Sequence, residues 1–559
     1  MGSRSRPDRR AAWRRVAACL AVVAVLVACT RAAPPVERRP TDAAPAQSGV
    51  PAPAASPASL AVRLAGAAGA VSFDGARLHD IDAVRRFYRA RGHAPAWTGA
   101  GCSAAMAGLA AAIDAAATHG LSPADYHHDA IDAPEACAED REILATDAWL
   151  ALAAHLHAGR VDPLSVEPDW RATRPAIDAV ARLEAALRSG RVVEDLEALA
   201  PHDATYAALR LALARWRLVA SGPAWPEVGD GPTLREGDAG PRVARLRARL
   251  AVEGLVVDDR GERFDAVLAD AVRRFQRGVD LDDDGVVGRL TRIELDRQPA
   301  WRVAQLRANL ERWRWLPDDL GGRHIRVNIA DFRLEARDGA VVELVRRVIV
   351  GRDARRTPSF SADLRYVVVN PWWEVPRRLA TQDKLPAFSR DPAQVERLGF
   401  EVVDAWGRVV DHGGIDWAAL SRDRFPYRLR QRPGPQNALG AVKMMLPNGH
   451  DVYLHDTPQR GLFARTRRDF SSGCIRVDDA LGLAAWVLRD APGWDRARLD
   501  AAVASGAESR VDLPAPIPVH LQYLTAVVED GVVRFVADLY DRDPALVAAL
   551  DARRWPEPP

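Results

Sequence analysis

The spacing of hydrophobic positions divides the chain into a helical first half and a strand-rich second half. From residue 61 to about 230, Ala- and Leu-rich stretches are broken by turn signals such as residues 119–123, and they predict an all-helical scaffold domain. From 231 to 299, hydrophobic residues recur three and four positions apart, which predicts a small domain of two or three short amphipathic helices. The positions that carry this second pattern are Val243, Leu246, Leu250, Leu268, Val272 and Phe275.

Beyond residue 300 the pattern changes to short β-rich runs, which predict one mainly β domain over residues 300–559. The runs cover residues 325–329, 345–350, 366–370, 452–454, 519–523 and 532–535. Residues of about 376–444 interrupt them with Pro, Arg, polar residues and helical fragments. Insertions of this size beside a site commonly act as lids, so we expect a capping insertion here. The predicted fold class is therefore multidomain α+β.

The N-terminal segment has the pattern of an export signal. Six arginines precede the apolar run 16–28, whose length as a helix is about 20 Å, short of the roughly 30 Å core of a bilayer. The run ends in Leu26-Val27-Ala28-Cys29, which resembles the lipobox of bacterial lipoproteins, so residues 1–29 are predicted to be a lipoprotein signal and Cys29 its lipidated residue. An ordinary cleavage site near an incidental Cys29 is the alternative. Residues 30–60 are Pro-, Ala- and Ser-rich and predict a disordered tether.

Charge and cysteine content exclude several functional classes. A formal net charge of +2 provides no field to concentrate a polyanion, so nucleic acid is not an expected partner. The five cysteines include no CxxC pair, the histidines at 127, 128, 155 and 157 form no recognised ligand pattern, and no phosphate-binding glycine motif is present. We therefore predict no metal and no cofactor. Cys102 and Cys137 form either a disulfide or two buried thiols, and the sequence leaves both open.

Cys474 is the candidate nucleophile. The small residues Ser471, Ser472 and Gly473 precede it, and such a turn can expose a thiol while directing backbone N–H groups at a substrate oxygen. A free thiol has a pKa near 8.5, so an adjacent imidazole is the usual means of raising the thiolate fraction. His455, at the end of a short predicted strand, is the candidate base. From spacing alone the signal for a Cys–His pair is weak, and the alternative is an inert buried cysteine with an unrelated strand-end histidine.

The local sequences resemble a known enzyme family. His455-Asp456-Thr457-Pro458 and the run from Ser471 to Val477 resemble the signature of the L,D-transpeptidase catalytic domain typified by YkuD. Further segments, at 309–317, 327–329, 357–358, 370–376 and 430–440, look like the large periplasmic YcbB-like subclass. Residues 231–299 resemble the three-helix peptidoglycan-binding module of secreted cell-wall enzymes. These resemblances together cover nearly all of the mature chain.

The resemblance implies a role for each matching residue. Cys474 would attack the diaminopimelate carbonyl of a tetrapeptide stem, release D-alanine and form a thioester, while His455 would move the protons. Backbone N–H groups around Gly473 and Cys474 would form the oxyanion hole. Arg476 would hold a substrate carboxylate or support the cysteine loop. Tyr453 lies two residues before His455, hence on the same strand face. Asn437 and Trp373 are further pocket candidates, for which core packing or loop capping is the alternative.

One departure from the family bears on the base. Ser472 stands where many members have a histidine, so His455 is expected to be the sole base and Ser472 at most a hydrogen-bond partner. Because adjacent strand residues point to opposite faces, we expect a backbone carbonyl rather than the Asp456 side chain to orient the imidazole.

The resemblance also implies an activity and a location. The expected reaction is a 3–3 cross-link between donor and acceptor peptidoglycan stems, made on the periplasmic side by an enzyme held to a membrane through its lipid anchor, alongside other wall-synthesis enzymes. An L,D-carboxypeptidase, an enzyme that attaches a protein to the wall, and a non-catalytic peptidoglycan-binding anchor are the alternatives.

Overall fold

The computed structural model describes residues 55–66, 73, 76–98, 103–132, 138–168, 170, 176–256, 261–317, 319–529 and 531–552. The predicted signal peptide and its Cys29, as well as Cys102 and Cys137, lie outside these residues. The first helix begins at Pro57, inside the segment that the sequence assigns to the tether, because Leu60 and Leu64 are buried against the helical region. No helix in the described ranges combines the length and the apolar character needed to cross a bilayer.

The N-terminal third of the described chain is helical, as predicted. Its packing centres on the long α5, whose Trp149 and Leu152 are fully buried. Aspartates start several helices, because their side chains accept otherwise unpaired backbone N–H groups; Asp80 and Asp178 do so for α2 and α7. The helices are α1 (Pro57–Ala65), α2 (Ile81–Ala90), α3 (Ser103–Ala116), α4 (His128–Asp132), α5 (Ala138–Ala158), α6 (Pro163–Val166), α7 (Ala179–Ser189), α8 (Val192–Glu197) and α9 (Ala204–Ala220).

The small domain consists of three helices, α10 (Pro241–Val252), α11 (Ala266–Gly278) and α12 (Arg289–Asp296). All six hydrophobic positions that predict it are buried in one core, which confirms the helical spacing. The next helix, α13 (Pro299–Arg314), was assigned with the β domain, but its apolar residues join the core of the helical region.

Buried ion pairs tie α13 to both sides of the molecule. Arg312 pairs with Glu167 of the helical region at 3.1 Å and with Asp543 near the C-terminus at 2.5 Å. The hairpin of β14 (Ala526–Glu529) and β15 (Val532–Phe535) and the last helix, α19 (Asp543–Asp551), also pack on the helical core. Segments from both ends of the region that the sequence assigns to the β domain therefore pack against the helical core.

The β domain is a nine-stranded sheet in the order β11-β3-β12-β10-β9-β4-β13-β1-β2, and an additional pairing of β2 with β3 closes it on itself. Helices α17 (Ala480–Val487) and α18 (Arg496–Ala504) pack against its core. The Asp479 side chain accepts the Gly482 N–H at the start of α17. The strands are β1 (Arg323–Asn328), β2 (Arg333–Asp338), β3 (Val341–Gly351), β4 (Phe360–Val369), β9 (Val442–Met445), β10 (Leu454–His455), β11 (Asp469–Ser471), β12 (Ile475–Val477) and β13 (Ser509–Gln522).

The capping insertion has its own sheet and its own core. Its four strands run in the order β5-β8-β6-β7, and the core includes Trp373, Phe388 and Phe400. The elements are β5 (Trp373–Glu374), α14 (Arg377–Leu379), a π-helical turn (Ala380–Lys384), α15 (Leu385–Arg390), α16 (Gln394–Arg397), β6 (Phe400–Val403), β7 (Val409–Val410) and β8 (Arg428–Gln431). The predicted end at 444 is too late, because residues 442–445 form β9 of the main sheet.

Candidate active site

Cys474 lies in the short turn between β11 and β12. Gly473, just before it, has φ +123°, a conformation that favours glycine. The Ser471 hydroxyl accepts the Gly473 N–H at 3.1 Å and donates to the Cys474 carbonyl at 2.6 Å. The turn is thus held internally, by a buried serine that the sequence placed in the cysteine loop without a specific role.

A buried threonine fixes the same turn from outside. The Thr357 hydroxyl donates to the Gly473 carbonyl at 2.8 Å and accepts the Gly351 N–H at 2.9 Å. The Tyr540 hydroxyl donates to the Gly351 carbonyl at 2.6 Å and accepts the Thr357 N–H at 3.2 Å. The sequence offered Thr357 only as part of a motif and gave no signal for Tyr540, which lies 66 positions after Cys474.

Strand register brings the predicted catalytic pair to one face of the sheet. Strands β10 and β12 are parallel neighbours, with Leu454 opposite Ile475 and His455 opposite Arg476. Because side chains alternate along a strand, Tyr453, His455, Cys474 and Arg476 share the face that the insertion covers. The Tyr453 and His455 rings lie 5.6 Å apart, and Tyr453 also packs against the core of the insertion.

The imidazole of His455 is oriented by a backbone carbonyl, as predicted. Nδ1 lies 2.5 Å from the Asp456 carbonyl oxygen, so Nδ1 carries the proton in the neutral ring and Nε2 is left as the acceptor. The Asp456 carboxylate instead accepts the Ala441 N–H at 2.9 Å and pairs with Arg460. Burial, followed by the charge of Arg476, lowers the pKa of His455 to about 3, and Lys443 adds to this effect.

The thiol of Cys474 is also neutral in this structure. Sγ donates to the Asp451 carbonyl at 3.5 Å rather than to His455. Burial raises the pKa of Cys474, although hydrogen bonds from Tyr453 and the charges of Lys443 and Arg476 act in the opposite direction. The resting site therefore holds a neutral thiol and a neutral imidazole, and a proton transfer between them requires the thiol to leave Asp451.

One of the two backbone N–H groups that the sequence predicts as oxyanion donors is already engaged. The Gly473 N–H already donates to Ser471 Oγ, so it is not free for a substrate oxygen. The Cys474 N–H has no acceptor within the ranges that the structure describes and is the donor that remains in the turn. The Ser472 hydroxyl accepts a hydrogen bond from Arg355 at 3.0 Å, which agrees with its expected role as a hydrogen-bond partner.

Arg355 also connects the cysteine turn to the capping insertion. Its guanidinium forms a bidentate ion pair with Asp383 at 2.6 and 2.7 Å and donates to Gln382 at 3.0 Å. These hydrogen bonds lower the pKa of Asp383 below its usual range. Arg355 therefore joins three things that the sequence keeps apart: the residue beside the nucleophile, the sheet domain and the π-helical turn of the insertion.

The two weaker pocket candidates occupy different places. Trp373 is largely buried in the core of the insertion, against which Tyr453 packs, so it borders the site. Asn437 is fully buried, and its amide donates to the carbonyls of Pro371, Gln431 and Arg432 while accepting the Leu439 N–H. Loop capping, the alternative, accounts for Asn437, because the N–H donors of its amide are all engaged by backbone carbonyls.

A separate histidine cluster lies in the helical region. Ligand atoms of His79, His127 and Asp147 come within 4.8 Å of one another, a grouping that spacing along the sequence did not suggest. The Asp147 carboxylate accepts the His79 and Asp80 N–H groups and lies 2.7 Å from His127 Nε2. Since each Asp147 oxygen already has partners, the arrangement satisfies these buried polar groups without an ion.

Three family models match this chain. The model described as "Scaffold domain" matches residues 82–213, "Putative peptidoglycan binding domain" matches 239–295, and "L,D-transpeptidase catalytic domain" matches 322–503. The last range contains the cysteine turn, His455 and the whole capping insertion.

Individual proteins show the same similarity. A curated Haemophilus influenzae protein named "Putative L,D-transpeptidase" is 41% identical over 240 residues, which make up 43% of this chain and 48% of that protein. The chain therefore matches about half the length of this relative. A crystal structure of an L,D-transpeptidase from Xylanimonas cellulosilytica aligns at 15% identity over 52% of this chain and 99% of that chain, with a TM-score of 0.16.

Proposed function

We propose that the protein joins two peptidoglycan stem peptides through their diaminopimelates, a 3–3 cross-link, because residues 322–503 match the model of the L,D-transpeptidase catalytic domain. The observation that carries the proposal is that His455, on β10, and Cys474, immediately before the neighbouring strand β12, share one face of the sheet. The peptidoglycan-binding domain adjoining the catalytic domain in sequence supports the same substrate class.

The proposed first half-reaction is an acyl transfer to Cys474. The thiol turns from Asp451 towards His455 Nε2 and gives up its proton, and Sγ attacks the diaminopimelate carbonyl of the donor stem. The Cys474 N–H stabilises the developing oxyanion, a contribution of about 3 kcal/mol for such a donor. Collapse of the tetrahedral intermediate breaks the bond to D-alanine, whose amine takes the proton from His455, and leaves a thioester.

In the second half-reaction, an amine of the acceptor stem attacks the thioester. His455 takes the proton of that amine and returns it to the departing sulfur, which restores the thiol. The energy of the donor's peptide bond is conserved in the thioester, so the exchange needs no nucleotide. In this proposal Arg476 holds a substrate carboxylate, since it lies beside His455 on the same face.

The acceptor distinguishes the proposal from its alternatives. With water as acceptor the same residues would act as an L,D-carboxypeptidase, and with a protein amine they would attach a protein to the wall. Which acceptor is used depends on the shape of the capping insertion, whose core packs against Tyr453 on the face that carries His455. We further propose the YcbB-like subclass and a periplasmic location, with Cys29 lipidated at the membrane.

Two measurements test the proposed chemistry. Purified protein incubated with a carbapenem, an acylating probe of such cysteines, should gain one adduct mass, and Cys474→Ala should gain none. Absence of the adduct on the wild type, or an equal adduct on the variant, would refute a cysteine acyltransferase and favour the non-catalytic anchor. Muropeptide analysis after expression then identifies the acceptor, because 3–3 dimers, tripeptides and protein-linked muropeptides differ in mass.

A further inference from the structure

The distribution of lysine in this chain is extreme. Of 77 Lys and Arg residues only two are lysines, Lys384 and Lys443, and both lie at the candidate active site although 59 positions separate them. Elsewhere the chain uses arginine for every cation. The family resemblance assigns neither lysine a role.

Lys443 lies on β9, directly opposite His455 of β10. Its Nζ is 4.2 Å from the centre of the Tyr453 ring, and its charge acts on both Cys474 and His455. Burial lowers the pKa of Lys443, while Cys474, Glu508 and Asp451 oppose this shift. Lys443 is thus a partly desolvated cation on the face of the sheet that carries His455 and Cys474.

Lys384 reaches the site from the capping insertion. It ends the π-helical turn, a rare element that often marks functional positions, and its Nζ lies 5.4 Å from the Trp373 ring and 5.0 Å from the Phe400 ring. Burial and the like charge of Arg476 lower its pKa, whereas Asp383 raises it. The capping insertion, with Lys384, and the sheet, with Lys443 and Arg476, therefore both place cations at the candidate active site.

Lys384, Lys443 and Arg476 form no ion pair within the described ranges of the catalytic domain. The adjacent Asp383 is engaged by Arg355, and Arg476 donates only to the neutral Gln459, at 2.7 Å, while its buried Nε has no partner. Elsewhere a buried arginine such as Arg312 has two carboxylate partners. Desolvated cations without an anion are costly, so the site is arranged to receive negative charge.

The choice of lysine over arginine points to the kind of contact. An ammonium group is a compact point charge with three rotatable donors, whereas a guanidinium is a wide planar fork that suits a bidentate partner. The ammonium groups of Lys384 and Lys443 both lie beside aromatic rings. They are therefore suited to a carboxylate that approaches between the lid and the sheet.

We propose that Lys384, Lys443 and Arg476 together form a subsite that binds the free carboxylates of the stem peptide and makes the enzyme select stems in which the diaminopimelate carboxylate is not amidated. This proposal rests on the proposed function and adds the chemical form of its substrate. Lys443 contacts the bound stem beside the nucleophile, and Lys384 contacts it from the insertion.

Paired substrates test the subsite. Turnover of a tetrapeptide stem with the free diaminopimelate carboxylate should exceed that of the carboxamide by about 10-fold or more in kcat/KM, the range of a charge-assisted hydrogen bond. Lys443→Gln and Lys384→Gln should each lose most of this preference, because turnover of the free-carboxylate stem falls more than turnover of the carboxamide. Arg397→Gln, which removes an exposed cation of the insertion paired with Asp391, is the matched control and should keep the preference.

The outcomes separate the subsite from the function itself. Equal losses on both substrates would mean that the lysines act only structurally and would overturn the proposal, as would equal turnover of both substrates by the wild type. If neither substrate turns over and no carbapenem adduct forms, it is the proposed function that fails.

Lysine labelling gives a second readout that does not depend on turnover. In the Cys474→Ala protein, acetylation by an N-hydroxysuccinimide ester can modify only two lysines besides the N-terminal amine, and peptide mapping resolves the two. The free-carboxylate stem should slow labelling of both, and the carboxamide stem should protect them less. Labelling rates that do not change with either stem would refute the subsite.

Discussion

Replacing Thr357 by valine should loosen the cysteine turn without changing any residue of the catalytic pair. The hydroxyl makes two buried hydrogen bonds, one as donor to the Gly473 carbonyl and one as acceptor from the Gly351 N–H. Valine has nearly the same shape but satisfies neither group. Each buried group left unpaired costs about 1 to 3 kcal/mol, so the variant should be destabilised by about 2 to 6 kcal/mol.

Part of this loss should appear in catalysis. The Gly473 carbonyl and the Cys474 N–H belong to the same peptide group, so a shift of the carbonyl also moves the N–H. An N–H that is displaced in this way stabilises the oxyanion less. Since a well-placed donor contributes about 3 kcal/mol, a partial loss should slow acylation by roughly 10- to 100-fold.

The assay compares Thr357→Val with Thr357→Ser, which keeps the hydroxyl. Thermal unfolding and the rate of carbapenem adduct formation are measured for both. Thr357→Ser should remain close to the wild type in acylation, because its hydroxyl can still bridge Gly351 and Gly473. Equal acylation rates for the two variants would refute the view that Thr357 positions the nucleophile.

Three further predictions follow from charges at the site. The pKa of His455 is about 3 in the folded state and near 6.5 in the unfolded state, so the unfolded state binds the proton first as the pH falls and stability decreases below pH 6.5. This group should make the free energy of unfolding about 2 kcal/mol lower at pH 5 than at pH 8, and the difference should be absent in His455→Gln. Because burial raises the pKa of Cys474, the rate of its alkylation by iodoacetamide should keep rising above pH 9. Lys443→Gln should slow this alkylation at every pH, since the charge of Lys443 lowers the pKa of the thiol. A rate that reaches a plateau near pH 7 would contradict the neutral resting thiol. Arg355→Gln and Asp383→Asn should each speed amide exchange in residues 380–390, and the double variant should add little, since both remove one ion pair; additive effects would show that the pair does not couple the turn to the insertion.

Local patterns were enough to predict the helical region, the small helical domain, six of the strands and the presence of the capping insertion. In these segments the hydrophobic spacing matches the period of the element, and tertiary packing buries the same faces that the spacing marks. The two ends of the predicted β domain, α13 and the C-terminal hairpin, instead pack on the helical core. Their local pattern shows only whether they are helix or strand. The core that they join is decided by long-range contacts, such as that of Arg312 with Asp543.

The site divides in a similar way. Cys474, His455, Arg476 and Tyr453 are recognisable along the chain because the chemistry and the alternation of a strand lie within a few residues of one another. The roles of Thr357, Tyr540, Arg355 and the two lysines come from segments brought together only by the closed sheet and by the insertion folded over it. Hydrogen bonds and charge interactions act over a few ångströms in space, whatever the separation in sequence, so only the folded chain could place them.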